Sequence, residues 1–177
     1  MKNFRSLVVL KRPQQELWIA MRDHMVDFAG NIADIESIRQ IERTTDANNV
    51  VHVVNEWRVR QQVPAMLRSI LKASELSWID RNSWDASSHA CAWAIEPNFL
   101  TEHIACSGKT SFAPAMGGQG TRVTFEGEFD LKPGALGKLS SLESLLSGFL
   151  ESIVTTIIPR NLRAVVEAAA AFKLPPS

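Results

Sequence analysis

The chain has 177 residues, 45% of them hydrophobic and 21% charged, the profile of a globular protein large enough for one core of its own. Nineteen Lys and Arg balance nineteen Asp and Glu, and no basic run appears, so neither nucleic acid nor an anionic bilayer is an expected partner. No apolar stretch reaches the roughly 18 residues of a membrane span, and NFRSLVVLKRP has too short an apolar part for a signal peptide. Two cysteines are too few for a disulfide scaffold, and a cytoplasmic location with reduced thiols is expected.

Phe4 to Lys11 is a β-branched run and reads as a first strand. Pro13 stands where a helix takes its first residue, because its fixed φ suits that place and its missing N–H is not needed. Leu17, Trp18, Met21 and Met25 then recur at helical spacing. A second short helical turn over Val26–Phe28 ends at Gly30 and Asn31. Residues 35–45 are expected to form a strand, and Asp46, Ala47, Asn48 and Asn49 a turn. In VVHVVNEWRV, Val51, Val53, Asn55, Trp57 and Val59 alternate with a set that carries the charges, which turns the first set inward. Asn55 is then a polar group on an apolar face.

Pro64 opens a short helix, PAMLRSILKAS. Strands at 76–84, 89–96, 101–113 and 120–132 follow, joined by turns at 85–88 and 97–100 and by the glycine-rich turn 116–119. In the last of them Val123, Phe125, Gly127, Phe129 and Leu131 alternate with charged or polar neighbours. Slipping a strand by one residue swaps its faces, so turn lengths decide what points inward. A turn at 97–100 sets Cys91 opposite Cys106 and Trp93 opposite Ile104, with Thr110 and Phe112 on the same inner face. A turn at 85–88 pairs Asn82 with Cys91 and Asp80 with Trp93, placing Trp78, Asp80, Asn82 and Trp84 inward.

The C-terminal forty residues read as a long amphipathic helix. Leu139, Leu142, Leu145, Leu146, Phe149, Leu150, Ile153 and Ile157 form one apolar stripe. Beyond Pro159 the large apolar residues Leu162, Val165, Val166, Ala169 and Phe172 lie more than about 90° around from it. Proline removes the bond to the Thr155 carbonyl and clashes with it, so a kink or break is expected near 155–159.

Strand, two short helices, a run of antiparallel strands and a long closing helix: this order resembles the helix-grip fold of the START-like superfamily, also called SRPBCC. That superfamily includes birch-pollen-allergen-like proteins, polyketide cyclases and coenzyme-Q-binding proteins. The resemblance covers the whole chain and rests on element order, the Pro13 helix start, the Gly117-Gly118 hairpin, the FEGEFDL strand and the terminal helix, with no catalytic signature. The PAMLRSIL insertion and the strand ending at Trp84 look like a bacterial branch of it. The resemblance implies an α+β architecture over residues 1–177 as one domain. A curved antiparallel sheet of six to seven strands would wrap the long helix, with an elongated apolar cavity between them.

Within that frame Asn55, Asp80 and Asn82 are candidates to fix the polar end of an otherwise apolar ligand; equally, they satisfy one another or bind buried water. Trp57, Trp78, Trp84, Trp93, Phe112, Phe125, Phe149 and Ile153 are candidate walls, although large aromatics also simply fill cores. Cys91 and Cys106 are either two buried thiols or a strained cross-strand disulfide. The four histidines have no metal-ligand spacing, no phosphate or dinucleotide motif precedes a helix, and neither metal nor cofactor is expected. The leading expectation is binding or transport of a lipid, quinone or polyketide-like molecule by a monomer or homodimer. An aromatase/cyclase-type enzyme with Asp80 as acid/base is the alternative, its pKa raised by burial. A protein-interaction module is a third reading.

Overall fold

The computed structural model describes residues 1–132 and 142–177. Seven strands, β1 (Lys2–Leu10), β2 (Ile35–Thr45), β3 (Val51–Gln62), β4 (Glu75–Asp85), β5 (Ala90–Pro97), β6 (Ile104–Ala115) and β7 (Gly120–Leu131), form one antiparallel sheet in the order β1-β7-β6-β5-β4-β3-β2. Helices α1 (Gln14–Asp23) and α2 (Met25–Phe28) carry the chain from one sheet edge to the other, and α3 (Ala65–Leu71) interrupts β3 and β4. Helices α4 (Glu143–Ser152) and α5 (Ile158–Ala171) close the fold. Pro13 caps α1 from just outside, its carbonyl accepting the Leu17 N–H at 3.0 Å.

Alternation governs the sheet. Along β3 the inward set Val51, Val53, Asn55, Trp57 and Val59 is buried while the residues between are half-buried or exposed. On β4 Leu76, Trp78, Asp80, Asn82 and Trp84 are buried. Their apolar area supplies the core at roughly 25 cal/mol per Å² removed from water.

Two registers differ from those expected. Asp80 faces Ile95 and Asn82 faces Trp93, because the β4–β5 turn sits at 86–89, tied by Ser87 to the Asp85 carboxylate. Cys91 faces Thr110 and Cys106 faces Ile95, because the β5–β6 connection runs from 98 to 103. Phe99 is the physical reason: its ring dives into the core, 3% exposed, and packs on Phe149 at 6.2 Å. The chain then turns back through Leu100 at positive φ, whose carbonyl accepts from His103 and Ile104. Both shifts are even, by two and four residues, so every inner face survives. The two cysteines are free and far apart along the ladder.

Gly108 and Gly127 lie opposite each other beneath the Trp93 ring. A β-carbon on Gly108 would collide with the Glu126 carbonyl and Trp93, and one on Gly127 with Phe4 and Trp93. These glycines are where the indole lies flat against the sheet, stacked on Phe4 at 6.0 Å.

Helical residues run on without a gap past the proline. Residues Ile153–Ile157 form a π turn in which the Ile158 N–H reaches back to the Ile153 carbonyl. Pro159 thus falls in the first turn of α5, where no N–H is required of it. The expected kink takes the form of this widened turn, with α4 and α5 contiguous through it. One inserted residue turns the apolar face by about 100°. Leu146 and Leu150 are buried before it, Ile153, Val154 and Ile157 within it, and Ile158, Asn161, Val165, Val166 and Ala169 within α5. Leu145, assigned to the stripe, is 38% exposed instead, since Leu146 and Leu150 hold its centre. Leu139 falls outside the described residues. Phe172 leaves the helix with extended backbone. Arg12 anchors this end, donating to the Ala170 carbonyl at 3.0 Å and to the Phe172 carbonyl, as suits a cation at a helix C-terminus.

Gly108→Ala should lower the unfolding free energy by about 3 kcal/mol or more in urea denaturation, because the colliding atom is backbone and cannot swing away. Gly30→Ala, with nothing within 4 Å, should stay within about 0.5 kcal/mol of the parent.

Candidate functional site

The inner faces of β3, β4 and β5 meet α5 over a cavity of about 50 Å3, room for a few waters. Trp57 and Trp78 face each other across β3 and β4 and stack at 5.8 Å with an interplanar angle of 18°. Trp84, Trp93, Phe125 and Thr110 continue the sheet-side wall. Met21 and Met25 close one end, and Ile158, Asn161, Leu162 and Val165 form the roof. A smaller chamber of about 20 Å3 lies beyond Trp78, Ile95 and Ile158, which line both spaces, and Phe99, Cys106, Leu150 and Ile153 help enclose it. The elongated cavity implied by the resemblance is therefore present as two small chambers divided by side chains.

Asp80 is the electrostatic centre. It is 7% exposed, and burial pushes its pKa up to about 6, since a carboxylate removed from water loses its hydration. The Asn82 amide, the Trp57 indole and Asn55 oppose that rise. In geometry only the Asn55 backbone N–H bonds it, at 3.2 Å to Oδ1. Trp57 Nε1 and Asn82 Nδ2 stand near the carboxyl yet have no hydrogen-bond partner within the protein. Asn82 Oδ1 accepts from the Cys91 thiol at 3.6 Å, and Trp93 Nε1 donates to Thr110 Oγ1 at 3.1 Å. Burial, then the nearby Asp80 charge, raises the Cys91 thiol well above its usual range, and burial pushes Cys106 up to about 12. Neither is a ready nucleophile.

Of the residues singled out from sequence, Trp57, Trp78, Asp80, Asn82, Trp84, Trp93 and Phe125 line the larger chamber. Asn55 stands behind it, holding Asp80 through its backbone. Phe112 packs edge-on against Trp18 at 5.3 Å and serves the core. Phe149 packs on Phe99, and Ile153 lines only the smaller chamber. Sequence reasoning passed over Asn161, 3% exposed with Oδ1 unpartnered. Its signal was the spacing Ile157, Asn161, Val165, which sets an amide in an apolar line. Among the described residues no cluster of His, Cys, Asp and Glu is placed to hold a metal, and no helix is long and apolar enough to cross a membrane.

No protein-family model and no curated protein matches the sequence. Solved structures do match. The Zhui aromatase/cyclase from Streptomyces sp. R1128 superposes with a TM-score of 0.62 at 14% identity, over 96% of this chain and 92% of that one. The di-domain ARO/CYC BexL of the BE-7585A biosynthetic pathway gives 0.64 at 15%, over 99% of this chain and 51% of that one. Ara h 8.0201 gives 0.60 at 15%, over 96% and 95%. A seven-stranded antiparallel sheet closed by a long C-terminal helix, shared with these proteins, is the helix-grip architecture. At these identities the likeness shows the fold, which is the helix-grip fold expected from the order of the elements.

The raised Asp80 pKa makes stability depend on pH. Below about pH 4 the carboxyl is protonated folded or unfolded and costs nothing. From the ordinary 3.8 to about 6 the unfolded chain ionises first, so stability falls as pH rises, by about 3 kcal/mol in all. Asp80→Asn removes this loss. In urea denaturation the variant should gain about 3 kcal/mol on the parent between pH 2 and pH 7; a pH-independent difference would refute the assignment.

Proposed function

We propose that the chain binds an apolar small molecule between the sheet and α5, its polar end held at Asp80, Asn82 and Trp57. The observation that carries this reading is the set of orphaned polar atoms around one apolar cavity, Trp57 Nε1, Asn82 Nδ2 and Asn161 Oδ1. Each costs about 1–3 kcal/mol if left unpaired; of the four such atoms among the described residues three line this cavity, and the fourth, Trp18 Nε1, lies in the core. The two chambers set the size. As it stands the larger one, at about 50 Å3, has room for a few waters, so even a single ring needs its walls to move. A lipid, quinone or polyketide-like chain occupies both once Trp78, Ile95 and Ile158 part.

A second reading draws on Asp80 itself. A carboxyl with a pKa of about 6 is poised to give and take a proton near neutrality, as an aromatase/cyclase-type reaction on a polyketide-like substrate requires. That the Zhui structure is described as an aromatase/cyclase supports this reading. No histidine lines the chamber, so Asp80 would act without an imidazole partner, which ranks catalysis second to binding.

Native mass spectrometry of the gently purified protein should show a complex heavier than the chain by one small organic molecule. Trp57→Ala, which removes the stacked wall, should lower its occupancy about tenfold, the equivalent of about 1.4 kcal/mol. Undiminished occupancy in the variant would place the ligand elsewhere, and a bare chain throughout would contradict the binding reading.

A further inference from the structure

Asn161 answers to none of the packing around it. It lies on the buried side of α5 with Ile157 and Ile158 before it and Val165 after it. Its Oδ1 is sealed from solvent and accepts no hydrogen bond from the protein. On the sheet wall of the same cavity two donors share that condition, Trp57 Nε1 and Asn82 Nδ2. The roof thus offers an acceptor and the floor offers donors. An orphan on each wall of one cavity is a pattern that a single ligand group relieves.

Charge narrows what that group is. Among the described residues no Lys, Arg or His lines the cavity, and Asp80 does. An anionic head would meet a carboxyl and no counter-charge. An ammonium head carries only donors and would leave Trp57 Nε1 and Asn82 Nδ2 unpaired. A hydroxyl both donates and accepts and is neutral, and the ring that bears it would enter as Trp78, Ile95 and Ile158 part.

Building on the reading of this cavity as a ligand site, we infer that Asn161 determines specificity by accepting the hydrogen of a ring-borne, phenol-type hydroxyl. The hydroxyl oxygen in turn accepts from Trp57 Nε1 or Asn82 Nδ2. The π turn is what presents Asn161 to the cavity, since it sets the phase of α5. The Asn161 side chain would touch the ligand head, and the aromatic walls its ring.

The test is an NMR titration of the full chain with phenol, toluene and benzoate, following the tryptophan indole N–H signals. Phenol should bind at least about tenfold tighter than toluene or benzoate, the scale of one well-made buried hydrogen bond. Asn161→Leu, which replaces the orphaned amide with an apolar group of similar size, should bring phenol down to the affinity of toluene. Trp57→Phe, which deletes the N–H but keeps a ring, should lower the phenol-to-toluene ratio independently of any change at α5. Equal binding of phenol and toluene by the parent, tightest binding of benzoate, or an unchanged ratio in both variants would overturn the inference while leaving the cavity a ligand site. Failure of all three probes to bind would overturn both.

Discussion

A carboxyl group with no cation beside it stands in the middle of the sheet's inner face, and the surroundings of Asp80 decide what this fold can do. Strand alternation puts it there: β4 reads Trp78, Asp80, Asn82, Trp84 on one side, and no register of even parity moves it out. Burial raises its pKa to about 6, against the Asn82, Trp57 and Asn55 contacts that lower it. Only one backbone N–H bonds it. A chain selected for stability alone would set an apolar residue at this point. Retaining an acid there, with unpaired donors nearby, is a cost that the proposed ligand or proton-transfer role would offset.

The roof over that acid is set by a proline. A continuous α-helix from residue 143 to 171 would meet Pro159 with a lost bond and a clash. The π turn at Ile153–Ile157 absorbs both and rotates the face that follows. Leu146 and Leu150 then serve the smaller, apolar chamber and the core, while Ile158, Asn161 and Val165 cover the polar one. Arg12 holds the far end of α5 by its last carbonyls. The chambers meet at Trp78, Ile95 and Ile158, so rotation of those side chains, or a small shift of α5, is the step that would join them.

Much of this was legible from residue order. Period-two alternation identifies the inner faces of β3, β4 and β7, and with them Trp57, Asp80 and Asn82. Two turn assignments were wrong and did no damage to the faces, because errors of two and four residues preserve parity. What local pattern does not contain is tertiary demand. Phe99 leaves the β5–β6 connection to fill the core beside Phe149, lengthening a turn that composition alone makes four residues. Phe112 and Phe149 look like cavity walls by face, yet a face is shared by core and cavity alike. Asn161 was missed because the phase of the helix after Pro159 was read from its large apolar residues, and the π turn shifts that phase by one residue.

The central claim, a solvent-excluded acid at a site built for a polar ligand group, is tested most directly by following the Asp80 side-chain carbon by NMR as pH is varied. The account predicts a midpoint near 6, with the tryptophan indole N–H signals of the cavity shifting in the same titration. A midpoint near the ordinary carboxylate value of 3.8 would mean that water reaches Asp80 freely, and would contradict it.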